Sequence, residues 1–390
     1  MEFTKTYNEL KSIFSLNVEK SQIVETEIEI RFLQFTSKSC ATLPFDVSNA
    51  QASLHNTYAE TDESITENKT FKYPIFLPNA NKAQSKAIIL LHGLNERSWV
   101  KYLPWAYYLV QATNRPVILF PIAFHINRSP ESWANPRAML PILNSRQQIS
   151  NIELSTFANA ALSQRLSDNP LRFFLSGKQS ADDIIHLLKT IQNGDYPFLE
   201  KNAQVDFFSY SIGAFLSQIL FLANPNGLLD KSRLFMFCGG AHFCDMNGTS
   251  RLIMDSHAYT NLIKYYLCDF LDELKTSSPL SKFINGSNIG EAFISMISPE
   301  CKTDYRNSRL EALSNRIRIV SLKKDMVIPS NNIQSTFACT KSKLKSVVNE
   351  LDFPYTYSHE VPFPVYNNPQ SMLVDQCFEK VFRPAADFLI

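Results

Sequence analysis

Ser211 is the residue whose neighbours in the chain point most directly to chemistry. It follows an apolar, strand-like run, and two small residues, Ser209 and Gly213, stand two positions before and after it. A nucleophile at a sharp turn from strand to helix has a strained backbone that exposes its hydroxyl. The side chains two positions away are then forced together, so only small ones fit. Because Ser209 as the nucleophile would place Phe207 at that crowded position, the pattern predicts Ser211. A serine that merely caps a helix over 212–222 is the alternative.

A second turn lies earlier in the chain. Residues 86–91 are mostly apolar and predict a strand, which runs into the turn 92–95, His-Gly-Leu-Asn. The sequence after this turn predicts a helix over 98–113. We expect the side chain of His92 to pack and to form hydrogen bonds that shape the turn.

Two further polar residues follow strand-like segments. Residues 316–322 alternate between polar and apolar side chains, and Asp325 comes in the turn after them. Residues 355–357 predict a short β-rich piece just before His359, and a last helix is predicted over 370–382. Both polar residues come later in the chain than the serine.

In the order of their elements, these segments resemble the α/β-hydrolase superfamily, with Ser209 in place of the first glycine of its usual Gly-x-Ser-x-Gly pattern. The resemblance implies that Ser211 attacks a carbonyl carbon and that His359 takes the serine proton and later returns it to the leaving group. Asp325 would orient the histidine ring. The backbone amides of Leu94 and Ile212 would hold the oxyanion, which explains why their side chains can be apolar.

The acid has a second candidate. Asp245 follows the apolar run 234–238, and some α/β-hydrolases carry their acid after that strand. Asp325 matches the order and the loop context better, although an acid beside Lys323 and Lys324 is commonly a surface residue. The general base has one candidate, because His359 alone among the seven histidines follows the last predicted strand.

The resemblance implies an α/β-hydrolase fold, with a mostly parallel central sheet, helices on both faces and a helical cap insertion. A chain of 390 residues is long enough for one such domain with insertions. We expect residues 86–390 to form the catalytic domain and residues 242–315 to form the cap. Residues 1–85 are expected to add strands to the core sheet, with a polar loop over 48–70.

Composition excludes several classes of function. With 38 basic and 37 acidic side chains, the chain has no strong net field for nucleic acid, and the basic cluster 341–345 is expected to be a solvated helix face. No apolar stretch approaches the roughly 18 residues that a transmembrane helix needs. The N-terminal residues lack an apolar signal core, so a cytoplasmic location is expected. Seven cysteines without a Cys-x-x-Cys pair indicate reduced thiols rather than a metal site. The sequence has no glycine-rich phosphate loop, so no nucleotide cofactor is implied.

The predicted function is that of a serine hydrolase that cleaves a carboxylic ester through an acyl-enzyme intermediate. Phe124, Trp133 and Phe243 could line an apolar substrate pocket or simply pack in loops. An acyltransferase or an amidase could use the same three residues. A protein that keeps this fold only to bind a small-molecule ligand or a partner is the alternative from another class. The oligomeric state has no signal in the sequence.

Overall fold

Strands and helices alternate through the core of the chain, and longer helical segments interrupt this alternation twice. The computed structural model describes residues 1–23, 26–42, 62–338, 347–366 and 369–390. The strands are β1 Lys20–Gln22, β2 Glu29–Thr36, β3 Thr70–Leu77, β4 Gln84–Leu91, β5 Val117–Leu119, β6 Leu199–Tyr210, β7 Leu234–Phe237, β8 Ile317–Leu322 and β9 Val348–Leu351. The helices are α1 Phe3–Ile13, α2 Thr66–Lys69, α3 Leu103–Thr113, α4 Pro136–Gln147, α5 Ala160–Asp168, α6 Arg172–Asn193, α7 Ile212–Ala223, α8 Ser256–Lys264, α9 Phe270–Glu273, α10 Pro279–Asn285, α11 Asn288–Ser295, α12 Thr303–Ala312, α13 Ser330–Ala338 and α14 Ser371–Leu389.

In the described part of the chain, the strands form one sheet in the order β1-β2-β3-β5-β4-β6-β7-β8-β9. Strands β1, β2 and β3 are antiparallel to their neighbours, and the pairs from β5 across to β9 are parallel. Parallel pairs need crossover connections, which the helices supply. This is the strand order of an α/β-hydrolase, so the predicted fold class is confirmed. The N-terminal strands belong to the same sheet as the rest.

Both faces of the sheet are covered because the side chains of a strand alternate between them. On β4, Ile89 and Leu91 belong to one apolar cluster and Ile88 and Leu90 to the other. Helices α6 and α7 pack on the first face, whereas α1, α3 and α14 pack on the second. Continuous apolar runs such as that of β4 are therefore typical of central parallel strands that are buried on both sides.

Two insertions supply the helical segments outside this pattern. The first contains α4 and α5 and lies between β5 and α6, and the second contains α8 to α12 and lies between β7 and β8. A fully buried ion pair joins them, because Arg146 of α4 contacts both carboxylate oxygens of Asp255, at 2.6 and 2.8 Å. Removal of one partner from such a pair typically costs about 3–5 kcal/mol, so the two insertions are held together as a unit.

The sequence and the structure differ at the C-terminal side of the sheet. Residues 355–357 are not a strand, and the last strand is β9, which the sequence analysis did not predict. β9 lies at the edge of the sheet, and its four residues are partly buried or exposed, so they lack the apolar signal of the inner strands. The basic cluster 341–345 and most of the predicted loop 48–70 lie outside the described residues.

No helix among the described residues has the length and apolar character required to span a membrane. The six cysteines in the described part of the chain are all free thiols.

Candidate active site

Ser211 occupies the turn between β6 and α7 with a strained backbone. Its φ and ψ angles are 57° and −123°, in a region that residues with a side chain rarely adopt. The amide of Ser211 donates to the carbonyl of Phe237 at 3.2 Å, which anchors the turn to the neighbouring strand. A Cβ atom on Gly213 would lie 2.7 Å from the carbonyl oxygen of His92. A residue larger than glycine at position 213 would therefore clash with the turn that contains His92, which explains the small residue two positions after the serine.

Ser209 has a different environment, although it lies only two residues away. Its side chain is fully buried, and its Oγ lies 2.6 Å from the Oγ of Ser217 on α7. Ser209 thus links the strand to the helix that follows it.

The structure brings Ser211, His359 and Asp325 into one hydrogen-bonded chain. Ser211 Oγ lies 2.6 Å from His359 Nε2, and His359 Nδ1 lies 2.7 Å from Asp325 Oδ2. A carboxylate can only accept, so Nδ1–H donates to Asp325 and Nε2 is left as the acceptor for the serine hydroxyl. The three residues are 4 %, 3 % and 2 % exposed, respectively. In this geometry an imidazole nitrogen is placed to exchange a proton with a hydroxyl.

The loop after β8 fixes the carboxylate of Asp325. Its second oxygen, Oδ1, accepts hydrogen bonds from the amides of Val327 and Ile328 at 2.9 and 2.8 Å. Asp245, the other candidate acid, lies instead against His242, with Oδ2 3.4 Å from the Nδ1 of that ring. The ring of His359 is therefore oriented by Asp325.

Tyr210 supports His359 from the strand, a role that sequence analysis missed. Its ring stacks on the imidazole with the centroids 5.4 Å apart and an interplanar angle of 19°. The Tyr210 hydroxyl donates to the carbonyl oxygen of His359. Lys101 lies over the Tyr210 ring at 4.7 Å and donates to the carbonyl of Glu360 at 3.1 Å. A tyrosine directly before the serine is the only sequence signal that could have suggested this support.

Cys238, just after β7, completes the surroundings of the acid. Its Sγ, a carboxylate oxygen of Asp325 and a ring nitrogen of His359 all lie within 4.8 Å of one another, which is a spacing that a metal ion could use. However, burial, with a further contribution from the charge of Asp325, raises the pKa of the Cys238 thiol well above its usual range. The thiol is protonated here, and Asp325 accepts hydrogen bonds from both Cys238 and His359.

The turn after β4 and the start of α7 each contribute one amide to the pocket that contains the serine. His92 is fully buried; its Nδ1 lies 2.8 Å from the carbonyl of Gly93, and its Nε2 accepts from the amide of Ile122 at 2.9 Å. Burial holds the pKa of His92 well below its usual range, so the ring is neutral and shapes the turn. The amides of Leu94 and Ile212 have no hydrogen-bond acceptor among the described residues. Both are free to bind a ligand oxygen.

Two pockets meet at this place. Leu94, Ile212 and Phe173 line both of them. The smaller pocket, of about 460 Å³, also contains Ser211 and residues of the second insertion. The larger pocket, of about 910 Å³ including its open mouth, extends between α6, α7 and the first insertion. Of the aromatic residues noted in the sequence, Phe124 and Trp133 line the larger pocket and Phe243 lines the smaller one.

Comparison with solved structures finds esterases, lipases and peptidases at low sequence identity. Carboxyl esterase 2 of the mycorrhizal fungus Tuber melanosporum is 11 % identical, with a TM-score of 0.41, over 100 % of this chain and 99 % of that chain. Monoacylglycerol lipase of Paleococcus ferrophilus is 12 % identical, with a TM-score of 0.40, over 79 % of this chain and 96 % of that chain. Likenesses of this size carry no argument about activity.

No curated protein matches the sequence. The sequence does match a protein family described as a family of unknown function, DUF6051, over residues 1–390. Because this match covers the whole chain, the protein belongs to the DUF6051 family.

Proposed function

We propose that this protein is a serine hydrolase that cleaves a carboxylic ester through an acyl-enzyme intermediate. The observation that carries the proposal is the buried chain of hydrogen bonds from Ser211 Oγ through His359 to Asp325, at 2.6 and 2.7 Å. A serine that only capped α7 would need neither the histidine nor its acid. The strained backbone at Ser211 is of the kind that holds functional groups in place.

The proposed reaction starts when His359 Nε2 takes the proton of Ser211 as its Oγ attacks the ester carbonyl. The amides of Leu94 and Ile212 donate to the oxyanion of the tetrahedral intermediate. The carbon–oxygen bond to the alcohol then breaks, and His359 gives its proton to the departing oxygen. In the second half, a water molecule attacks the acyl-enzyme, His359 takes its proton, and the carboxylic acid leaves as the proton returns to Ser211.

The leaving alcohol is assigned to the smaller pocket. Its oxygen must come within hydrogen-bond distance of His359 Nε2, and this pocket is lined by Ser211 together with Val327 and Ile328 of the acid loop. The acyl group then extends past the amides of Leu94 and Ile212 into the larger pocket.

Residues 242–315 are proposed to be the cap. Met254, Tyr259 and Leu262 of this segment line the smaller pocket, so the segment forms a wall over the serine. The cap would shape the site for the alcohol and limit the access of water. Acyl transfer and amide cleavage would use the same residues, and product analysis with an added alcohol or amine acceptor distinguishes them from hydrolysis.

Labelling with a fluorophosphonate probe, which reacts with activated serines, tests the proposal. We expect labelling of the wild type and of Ser209→Ala but not of Ser211→Ala, with all three shown to be folded by circular dichroism. Ser209 is the matched control because it is a buried serine only two residues earlier, at the end of β6. A folded wild type that stays unlabelled at high probe concentration would favour a binding protein and refute the hydrolase.

A further inference from the structure

Arg97 stands in the larger pocket without an acidic partner. It lines the pocket, and no carboxylate within the described ranges forms an ion pair with it. Its Nη2 donates to Asn95 Oδ1 at 2.6 Å, and its Nη1 lies at the limit of a hydrogen bond, 3.5 Å from Ser129 Oγ. Its Nε is buried and has no hydrogen-bond partner. A guanidinium has five N–H groups, and within the described ranges two of those of Arg97 have an acceptor, both on neutral side chains, so it is an incomplete site for an anion.

The charge of Arg97 is present at neutral pH. Burial and the nearby Arg165 lower its pKa to about 10, which still leaves the side chain protonated. Arg97 is partly buried and has no acidic partner among the described residues, so the bound ligand is expected to supply the missing negative charge.

The rest of the pocket adds positive charge and no acid. Arg165, Arg172 and Lys178 also line it, and its lining contains no aspartate or glutamate among the described residues. Arg165 and Arg172 share the single carboxylate of Asp62, at 2.7 and 3.3 Å, and Lys178 pairs with an aspartate of α6. The charged residues of the lining are therefore basic, and the apolar walls around them strengthen the effect of their charges.

His125, which also lines this pocket, has a second unsatisfied polar atom. His125 is 6 % exposed, and its Nδ1 lies 2.8 Å from the carbonyl of Ala123, so Nδ1 carries the proton. Its Nε2 is buried without a hydrogen-bond partner. Nε2 is an acceptor and needs a donor, which a carboxylate does not supply, so the case for an anion rests on Arg97 and the basic residues around it.

We infer that the larger pocket receives an acyl group that carries a carboxylate, and that Arg97 binds this carboxylate. The inference rests on the proposed function, because it takes the larger pocket as the acyl site. The substrate class is then the monoester of a dicarboxylic acid. Its ester carbonyl lies at the amides of Leu94 and Ile212, its methylene chain contacts the apolar wall, and its free carboxylate pairs with the guanidinium.

The test compares two esters that differ only at the end of the acyl chain. Mono-p-nitrophenyl adipate ends in a carboxylate, and p-nitrophenyl hexanoate, of the same chain length, ends in a methyl group. We expect the wild type to have the higher kcat/KM for the adipate. In Arg97→Gln, the ratio of the two kcat/KM values should fall about 10- to 100-fold, as expected for the loss of a charge-assisted hydrogen bond. Arg97→Lys should keep part of this preference. Arg137→Gln, on the exposed face of α4, is the matched control and should keep the wild-type ratio.

A binding measurement separates this inference from the proposed reaction. In the Ser211→Ala background the ester cannot be cleaved, so calorimetric titration with monomethyl adipate and with methyl hexanoate reports the pocket alone. Adipate binding that disappears on adding Arg97→Gln supports the anion site whether or not the wild type turns over ester. A ratio unchanged by Arg97→Gln, or adipate binding that does not depend on Arg97, would overturn it. Absence of labelling at Ser211 would overturn the hydrolase and not the anion site.

Discussion

Replacing Asp325 with asparagine tests the orientation of His359 with the smallest change in shape. In the structure, Oδ1 of Asp325 accepts two backbone amides, and Oδ2 accepts the Nδ1–H of His359 at 2.7 Å. The asparagine oxygen is expected to keep the two amide bonds, since an NH₂ group facing two N–H donors is unfavourable. The NH₂ group then points at Nδ1, which must become an acceptor. The ring proton moves to Nε2, where it faces Ser211 Oγ at 2.6 Å and blocks the transfer.

The expected loss is large because the wrong tautomer removes the base altogether. Loss of the correct tautomer in a Ser-His-Asp arrangement costs about 10⁴-fold in kcat, or about 5 kcal/mol of transition-state stabilisation. The effect on folding should be smaller, about 1–3 kcal/mol, because one buried hydrogen bond is disturbed. The variant should therefore fold and bind substrate while its turnover nearly stops.

Steady-state hydrolysis of a p-nitrophenyl ester, with circular dichroism and urea unfolding in parallel, measures both effects. Asp245→Asn is the matched control, because Asp245 also follows a strand but lies against His242. Its kcat should stay close to the wild-type value. Equal losses in the two variants, or a well-folded Asp325→Asn with wild-type turnover, would show that the acid is misassigned.

Three further outcomes are expected. Gly213→Ala places its Cβ 2.7 Å from the His92 carbonyl oxygen, so thermal unfolding should reveal a loss of about 1–3 kcal/mol; unchanged stability would contradict the tight contact. Tyr210→Phe removes the hydrogen bond to the His359 carbonyl and should lower kcat about tenfold with little change in KM, whereas a change confined to KM would count against a positioning role. Burial lowers the pKa of His125 to about 3, so the unfolded state, with a histidine pKa near 6.5, binds more protons as the pH falls below that value. The free energy of unfolding should then fall by up to about 1.4 kcal/mol per pH unit between pH 6.5 and 5. Urea titrations at several pH values should show that this free energy depends less steeply on pH in His125→Gln.

The features visible in the sequence are those that depend on neighbours in the chain. The small residues around Ser211 reflect a local turn, and the apolar run of β4 reflects burial on both faces of the sheet, so each leaves a readable pattern. The edge strand Val348–Leu351 has no such burial and left no pattern. The support of His359 by Tyr210 was also missed, because 148 residues separate the tyrosine from the histidine.

By itself, the sequence marked Ser211 through turn sterics and the central strands through their burial, because these are local properties, and its resemblance to a known superfamily implied the fold class, His359 and two candidate aspartates. Only the tertiary structure decided which aspartate reaches the histidine ring, since Asp245 and Asp325 both follow strands and differ only in where their loops end in space. The unpaired charge of Arg97 is likewise a tertiary property. Whether an arginine has a partner depends on which distant segments approach it, and no spacing along the chain records that approach.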